Sequence, residues 1–310
     1  MHKPVMLAEV LEYLPAKRDG VFIDLTGGFG GHSAAINERL SSDAKHIIID
    51  RDPESVQRLR ERFKGVSSIE VFHENFGDFN RVLDQRGIER VDGLLADFGL
   101  STMQVRDGSR GFSFREDGPL DMRMDNSAGF SAADVVNTLT REELSGIIKT
   151  YGEERFAWRI AGAIENAREE KPFETTLELA DTVASAVPAK FRKKGINPAT
   201  KTFQAIRIHV NGELREIESM LSKLEDRVNP GGRVAFISFH SLEDRLVKEK
   251  FRELERECIC PPKQVICNCD KERTFKILTR KPIAPGEAEV EENPLSRSAK
   301  LRVAERVSSS

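Results

Sequence analysis

The stretch Asp24-Leu25-Thr26-Gly27-Gly28-Phe29-Gly30-Gly31-His32 packs an acid, four glycines and a histidine into nine residues. An apolar run, residues 21–25 (VFIDL), leads into it, and residues 33–40 read as a helix. Glycines at a strand-to-helix turn let the backbone come close to a ligand. The start of the helix supplies N–H donors. Asp50 ends the next apolar run, residues 46–50 (HIIID), where a carboxylate can accept both hydroxyls of a ribose. The combination fits a nucleoside-containing cofactor. Ser33 stands where Gly-x-Gly-x-x-Gly needs its last glycine, and no Gly-Lys-Ser/Thr follows, so a P-loop is excluded. Two cofactors compete. A dinucleotide would set its pyrophosphate beside Asp24, which repels it. S-adenosylmethionine carries a sulfonium and an ammonium, which Asp24 suits. Asp97, at the end of residues 91–97 (VDGLLAD), adds negative charge to the same rim and favours the methyl donor.

Three further groups carry candidate chemistry. Residues 186–215 hold Lys190, Arg192, Lys193, Lys194, Lys201, Arg207 and Arg215 against Glu213 alone, a local positive excess in a chain of net charge -3. Arg106, Arg110, Arg115 and Arg123 form a second basic group. Phe112, Phe114, Phe191 and Phe203 lie among these charges, where they could stack on bases; the pattern is a footprint for RNA. The alternative is a solvated helix face whose phenylalanines point to a core. His240-Ser241 with Glu243 and Asp244 suggests a hydrolase, but Gly-x-Ser-x-Gly is absent. A polar pocket for a target base fits better, beside a plain helix N-cap by Ser241. Finally, Cys258, Cys260, Cys267 and Cys269 are the only cysteines. Two Cys-x-Cys pairs could clasp a tetrahedral Zn²⁺, yet zinc ribbons use Cys-x₂-Cys. The reading adopted from spacing is no metal, with a loop of partly buried thiols.

The elements that must position these groups follow from patterning. The chain has 310 residues, 39% hydrophobic and 32% charged with both signs mixed, which suits a globular chain of about two domains. No apolar run reaches the ~18–20 residues of a membrane helix. The first residues lack a basic start followed by an apolar core, and the cysteines are few and clustered, so a cytoplasmic, reducing compartment is expected. Apolar runs at 21–25, 46–50, 69–73 and 91–97 alternate with helices at 33–40, 53–63 and 78–86, which predicts a parallel α/β sheet. Residues 103–125 then read as a long loop. Helices follow at 131–139, 141–151, 153–170 and 176–187, with N-caps expected at Ser131 and Thr140. Alternation resumes with a helix at 202–228, a turn at 229–232, a strand at 233–239 and a helix at 241–257. Strands at 275–279 and 300–304 close the chain, predicted as antiparallel.

Longer motifs go beyond pattern. The chain contains Phe29-Gly30-Gly31-His32-Ser33, Asp50-Arg51-Asp52-Pro53, Arg110-Gly111-Phe112-Ser113-Phe114, and Gly118-Pro119-Leu120-Asp121-Met122-Arg123-Met124-Asp125. Asn197-Pro198-Ala199-Thr200-Lys201-Thr202-Phe203-Gln204-Ala205, Ser238-Phe239-His240-Ser241-Leu242-Glu243-Asp244 and Arg297-Ser298-Ala299-Lys300-Leu301-Arg302 complete the set. Across almost its whole length the chain resembles the bacterial RsmH (MraW) family of 16S rRNA cytosine-N4 methyltransferases. The resemblance implies an α/β, class I S-adenosylmethionine-dependent methyltransferase (Rossmann-like) fold with an inserted all-helical domain. It places the methyltransferase domain at residues 1–104 and 204–310 and the substrate domain at 105–203. It implies methyl transfer to a cytidine amine in the decoding region, with 16S rRNA or the small ribosomal subunit as partner and no membrane. Monomer and homodimer stay equally open.

Carried over by motif, the cofactor contacts are Gly30, Gly31, His32, Asp50, Phe76, Asp97 and Gln104. The resemblance sets Phe76 against adenine. Substrate contacts are expected at Arg110, Phe112, Phe114, Lys193, Lys194, Lys201, Phe203, His240 and Ser241. Many family members have Asp-Leu-Gly-Val-Ser-Ser where this chain has Asp97-Phe98-Gly99-Leu100-Ser101-Thr102, and the larger Phe98 predicts a differently shaped cofactor wall. The N4 amine is a poor nucleophile because its lone pair is delocalised into the ring, so a hydrogen-bond acceptor must hold it in line with the methyl group. Many amino-methyltransferases use an Asp/Asn/Ser-Pro-Pro-aromatic turn there. Here the catalytic candidate is Asp97 or a backbone carbonyl of its turn; equally, Asp97 serves the cofactor alone.

Overall fold

Strands that are apolar on both faces need helices on both sides, and the alternating first hundred residues supply them. The computed structural model describes residues 4–14, 18–101, 104–105, 107–127, 129–192, 195, 197–261, 264, 266 and 268–308. Seven strands form one sheet: β1 (Val21–Asp24), β2 (Lys45–Asp50), β3 (Ile69–His73), β4 (Val91–Asp97), β5 (Val228–Ser238), β6 (Phe275–Ile277) and β7 (Lys300–Arg306). Their order is β3-β2-β1-β4-β5-β7-β6. β1 to β5 run parallel, β7 is antiparallel to β5, and β6 is antiparallel to β7. This is the α/β sheet the sequence predicts, including its antiparallel close.

The chain divides into two compact units, Met1–Gly99 with Leu214–Ser310, and Leu100–Glu213. In the first, successive strand residues feed opposite layers, as a period of two requires. Leu94, Val234 and Phe236 enter one apolar cluster with Ile47 and Ile49. Leu95, Ala235 and Ile237 enter the other with Leu301 and Val303. The helix Pro53–Arg62 starts with proline at its first position, and the Asp52 carboxylate accepts the Glu54 N–H at 3.0 Å.

The second unit is helical. Ala132–Thr138, Arg141–Gly152, Ala157–Glu170, Thr176–Ala186 and Thr200–Asn211 surround a core containing Val136, Leu144, Ile148, Ile160, Leu179 and Ile206. Capping boxes form at Ser131 with Asp134 and at Thr140 with Glu143, as predicted, and also at Thr175 with Glu178.

Several boundaries differ from the sequence reading. Glu153 takes φ 48 and caps the preceding helix, so the next begins at Ala157 rather than 153. The helix expected over 202–228 breaks at Gly212, whose φ of 61 only glycine adopts without strain. It becomes Thr200–Asn211, Glu213–Ser222 and Leu224–Arg227. Residues 229–232 are absorbed into β5, with a register shift against β4 between Val91 and Gly93. The units divide at 99/100 and 213/214, not at 104/105 and 203/204, because Phe203, Ala205 and Ile206 belong to the helical core. Among the described residues no helix is long and apolar enough to cross a membrane.

Asn211 ties the helical unit together. Its Oδ1 accepts the Met124 N–H at 2.8 Å, and its Nδ2 donates to the Met122 carbonyl at 2.8 Å and the Arg207 carbonyl at 2.9 Å. Asn211→Ala strands buried backbone groups, each costing about 1–3 kcal/mol. The expected outcome is a loss of roughly 2–4 kcal/mol in urea unfolding of the helical unit, and at least as large a loss for Asn211→Asp, whose second oxygen replaces the donor to the Met122 and Arg207 carbonyls.

Candidate functional site

Chain order reverses between β1 and β4: β2 and β3 continue on one side of β1, and β4 lies on the other. Ligands of open α/β sheets sit at the carboxyl ends of the strands at such a switch point. Asp24 ends β1, Asp50 ends β2 and Asp97 ends β4. The glycine turn between β1 and the helix Gly31–Asn37 is fixed from these ends. Gly28 donates its N–H to Asp50 Oδ2 at 2.7 Å, and the Asp97 N–H donates to Thr26 Oγ1 at 2.7 Å. Gly30 has φ 70, and a Cβ there would lie 2.7 Å from the Phe63 ring, so both backbone and neighbours demand glycine.

Asp24 is committed to the fold. It is buried, its Oδ1 accepts the Thr26 N–H at 3.1 Å, and its Oδ2 accepts the Ser33 hydroxyl at 2.5 Å. Its charge acts on the rim, while its oxygens hold the turn. Asp50 accepts N–H donors from Gly28 and, at 2.8 Å, from Asp52. Burial nevertheless pushes its carboxyl up to about 6. Each of its oxygens retains a lone pair for a ligand hydroxyl.

Asp97 is the exception among these acids. Burial pushes its carboxyl well above the ordinary carboxylate range, reinforced by the charges of Asp24, Glu243 and Glu289. Its Oδ1 is buried and has no hydrogen-bond partner among the described residues. His32 Nδ1 lies 3.9 Å from its Oδ2, and His32 Nε2 donates to the Val5 carbonyl at 2.9 Å. Met6 donates its N–H to Glu289 Oε1 at 2.7 Å. An orphaned carboxylate oxygen among three further acids fits a cationic ligand, and Asp50 beside the glycine turn fits a ribose. The donor set therefore suits S-adenosylmethionine better than a pyrophosphate.

Two aromatic residues, Phe98 and Phe76, meet below the strand ends. Phe98 is buried, stacks on Phe236 at 5.8 Å and meets Phe76 at 5.9 Å. Its bulk fills the core beneath the strand ends and reaches Phe76. Phe76 opens a short 3₁₀ turn after β3, half-buried against Phe98. Gln104 belongs to the helical unit, where its Oε1 accepts the Ser101 N–H at 3.0 Å. Sequence reasoning missed Thr26 as a partner of Asp97, and missed Glu289 altogether, because no local pattern links residue 289 to the first strands.

The expected RNA residues fare unevenly. Arg110 is 8% exposed and donates to the carbonyls of Met124 at 2.8 Å and Arg123 at 3.2 Å, so it braces its loop from within. Phe112 and Phe203 are core residues, and Phe114 packs edge-on against Phe203 at 4.7 Å, so these rings are occupied by packing. Arg207 forks onto Glu213 with two 2.8 Å bonds. Lys201 donates to the Glu153 carbonyl at 2.9 Å but keeps an exposed side chain. Lys193 and Lys194 lie outside the described residues. His240, not Ser241, is the N-cap of the helix Ser241–Glu255: its Nδ1 accepts the Glu243 N–H at 3.4 Å, and its Nε2 lies 3.1 Å from Glu243 Oε1. The exposed aromatics are ones the sequence reading passed over or left undecided. Trp158 is 51% exposed with the Arg141 guanidinium 4.3 Å from its ring. Phe191 is 40% exposed with Arg155 at 4.3 Å and Lys190 at 5.0 Å.

The raised Asp50 carboxyl makes a stability prediction. In the unfolded chain it titrates near 3.8, in the fold near 6. Below the lower value both states carry the proton and the site costs nothing. Above the higher value both are ionised and the fold bears the whole cost of the buried charge, roughly 2–3 kcal/mol. Asp50→Asn is therefore expected to gain stability relative to the parent chain as pH rises from about 4 to about 7, read from urea titrations at both pH values. A difference independent of pH would contradict the burial argument.

The comparisons with known proteins follow the geometry. The model of the MraW methylase family matches residues 1–307. The "Ribosomal RNA small subunit methyltransferase H" of Halothermothrix orenii is 49% identical over 306 residues, covering 99% of this chain and 98% of that one. The protein of the same name from Clostridioides difficile is 49% identical over 307 residues, covering 99% of both. The one from Caldicellulosiruptor saccharolyticus is 48% identical over 306 residues, again covering 99% of both.

Proposed function

Since the chain belongs to the MraW methylase family, we propose that it is a small-subunit rRNA methyltransferase that methylates the exocyclic N4 amine of a cytidine in the decoding region, using S-adenosylmethionine. The relatives that cover its whole length are named as small-subunit rRNA methyltransferases. The observation that carries the reading is the orphaned Asp97 oxygen at the switch point, ringed by Asp24, Glu243 and Glu289. Such a site is electrostatically incomplete without a cation.

The bound donor supplies an electrophilic methyl group on a positively charged sulfur. Gly30 and Gly31 allow the backbone turn to approach its amino-acid end, and His32 lies between that turn and Asp97. Asp50 accepts the ribose hydroxyls with the lone pairs left by Gly28 and Asp52. Phe76 is offered to the adenine. Gln104 is retained as a cofactor contact on the family motif. Asp97 balances the positive charge, and its free oxygen is the candidate acceptor for an N4 hydrogen, holding the amine toward the tetrahedral geometry that transfer requires. The His240 and Ser241 region is the candidate base pocket. Lys193, Lys194 and Lys201, with Trp158, Phe191 and the cations over their rings, are proposed as the RNA-facing charges and stacking platforms. The target base must leave its stack to reach the methyl group. The proposed site of action is the cytoplasm, where ribosomal RNA is assembled.

The test separates binding from turnover. Asp97 is protonation-prone without ligand, and a cation beside it favours the ionised form. In the pH range where the ligand-free carboxyl still holds its proton, binding of the donor is therefore expected to release it, seen as buffer-dependent heats in calorimetry. Asp97→Asn is expected to abolish that release and weaken binding tenfold or more. Mass mapping of small-subunit rRNA nucleosides from cells carrying only Asp97→Asn should show the N4-methylcytidine lost. Full modification by that variant would overturn the reading; unchanged donor binding with modification lost would assign Asp97 to the amine alone.

A further inference from the structure

The helix Ser241–Glu255 and strand β6 are joined by residues 256–274, in which the described residues form no helix or strand. A connection this long without structure of its own needs something to hold it. Apolar burial does not: Ile259 and Ile266 are exposed. What the connection brings together instead is sulfur. The Sγ atoms of Cys258, Cys260 and Cys269 all lie within 4.8 Å of one another. Cys258 and Cys269 have their sulfurs 3.7 Å apart, far beyond the ~2.05 Å of a disulfide bond. That separation matches the edge, about 3.8 Å, of a tetrahedron built on metal–sulfur bonds of about 2.3 Å. Two backbone donors also point at these sulfurs. The Cys260 N–H donates to Cys258 Sγ at 3.3 Å, and the Ile259 N–H donates to Cys269 Sγ at 3.4 Å. Hydrogen bonds from N–H groups stabilise a thiolate, the form of cysteine that binds metal.

We propose that Cys258, Cys260 and Cys269 bind a zinc-class soft divalent cation as a structural site that fastens this connection. The tight Cys-x-Cys spacing, which argued against zinc in the sequence, is accommodated because Cys269 returns across the loop to the sulfur of Cys258. Each thiol gives up its proton to solvent as its sulfur–metal bond forms, and no redox partner is needed. Thiolates with no histidine or carboxylate beside them among the described residues are the ligand chemistry of a structural rather than a catalytic metal. Cys267 repeats the Cys-x-Cys spacing beside Cys269 and lies outside the described residues; its substitution tests for a fourth thiolate.

The test uses the full chain, purified with a phosphine reductant and no chelator. Elemental analysis is expected to find about one zinc per chain. After stripping, Co²⁺ added in stoichiometric amount is expected to give the intense sulfur-to-cobalt charge-transfer absorption and the visible bands of a tetrahedral thiolate site. Cys258→Ser with Cys269→Ser should lower zinc content at least tenfold while S-adenosylmethionine binding is retained. A parent chain that carries no zinc and, once reduced, takes up Co²⁺ without those bands overturns the proposal, whatever the variants do. Zinc retained by the double variant overturns it equally.

Discussion

Like charges held close together cannot all stay ionised unless something opposes them, and this constraint organises the carboxyl ends of the strands. Burial there raises the Asp97 carboxyl, and the charges of Asp24, Glu243 and Glu289 raise it further. The fold relieves part of the strain internally. Asp24 is absorbed by the Thr26 N–H and the Ser33 hydroxyl, and Glu289 by the Met6 N–H. Asp97 keeps a buried oxygen that nothing in the described chain engages. What remains is a deficit of positive charge, fixed in place by β1 and β4 and closed most simply by a cationic ligand.

The same deficit bears on turnover under the proposed reading. A sulfonium donor carries the charge that Asp97 lacks, whereas the thioether left after methyl transfer does not. The glycine turn contributes geometry to this arrangement. Gly30 is pinned against Phe63 and Gly28 against Asp50, so the backbone beside the acids is rigid before a ligand arrives.

In the helical unit, charge is spent differently. Arg110 and Arg207, which read as phosphate contacts in one dimension, are consumed in bracing loops and helix ends. Guanidinium groups held by carbonyl and carboxylate partners are structural, and a count of basic residues does not distinguish them from unengaged ones. The surface instead offers Trp158 and Phe191 with arginine or lysine over their rings, a combination suited to unstacked bases.

Much of this molecule was written locally. The alternation of apolar runs, the acids at the ends of β1, β2 and β4, the glycine turn, the proline-led helix at Pro53 and the caps at Ser131 and Thr140 all depend on neighbours within a few residues, so the amino-acid order alone determines them. Family motifs spread along the chain carried the methyltransferase reading as well. Tertiary structure decided what depends on distant partners. It turned Phe98, Phe112 and Phe203 into core. It also brought Glu289 to the Met6 backbone and Cys269 to Cys258. Burial and ion pairing are properties of space filled by remote segments, and no period or spacing in a linear pattern encodes which remote segment arrives.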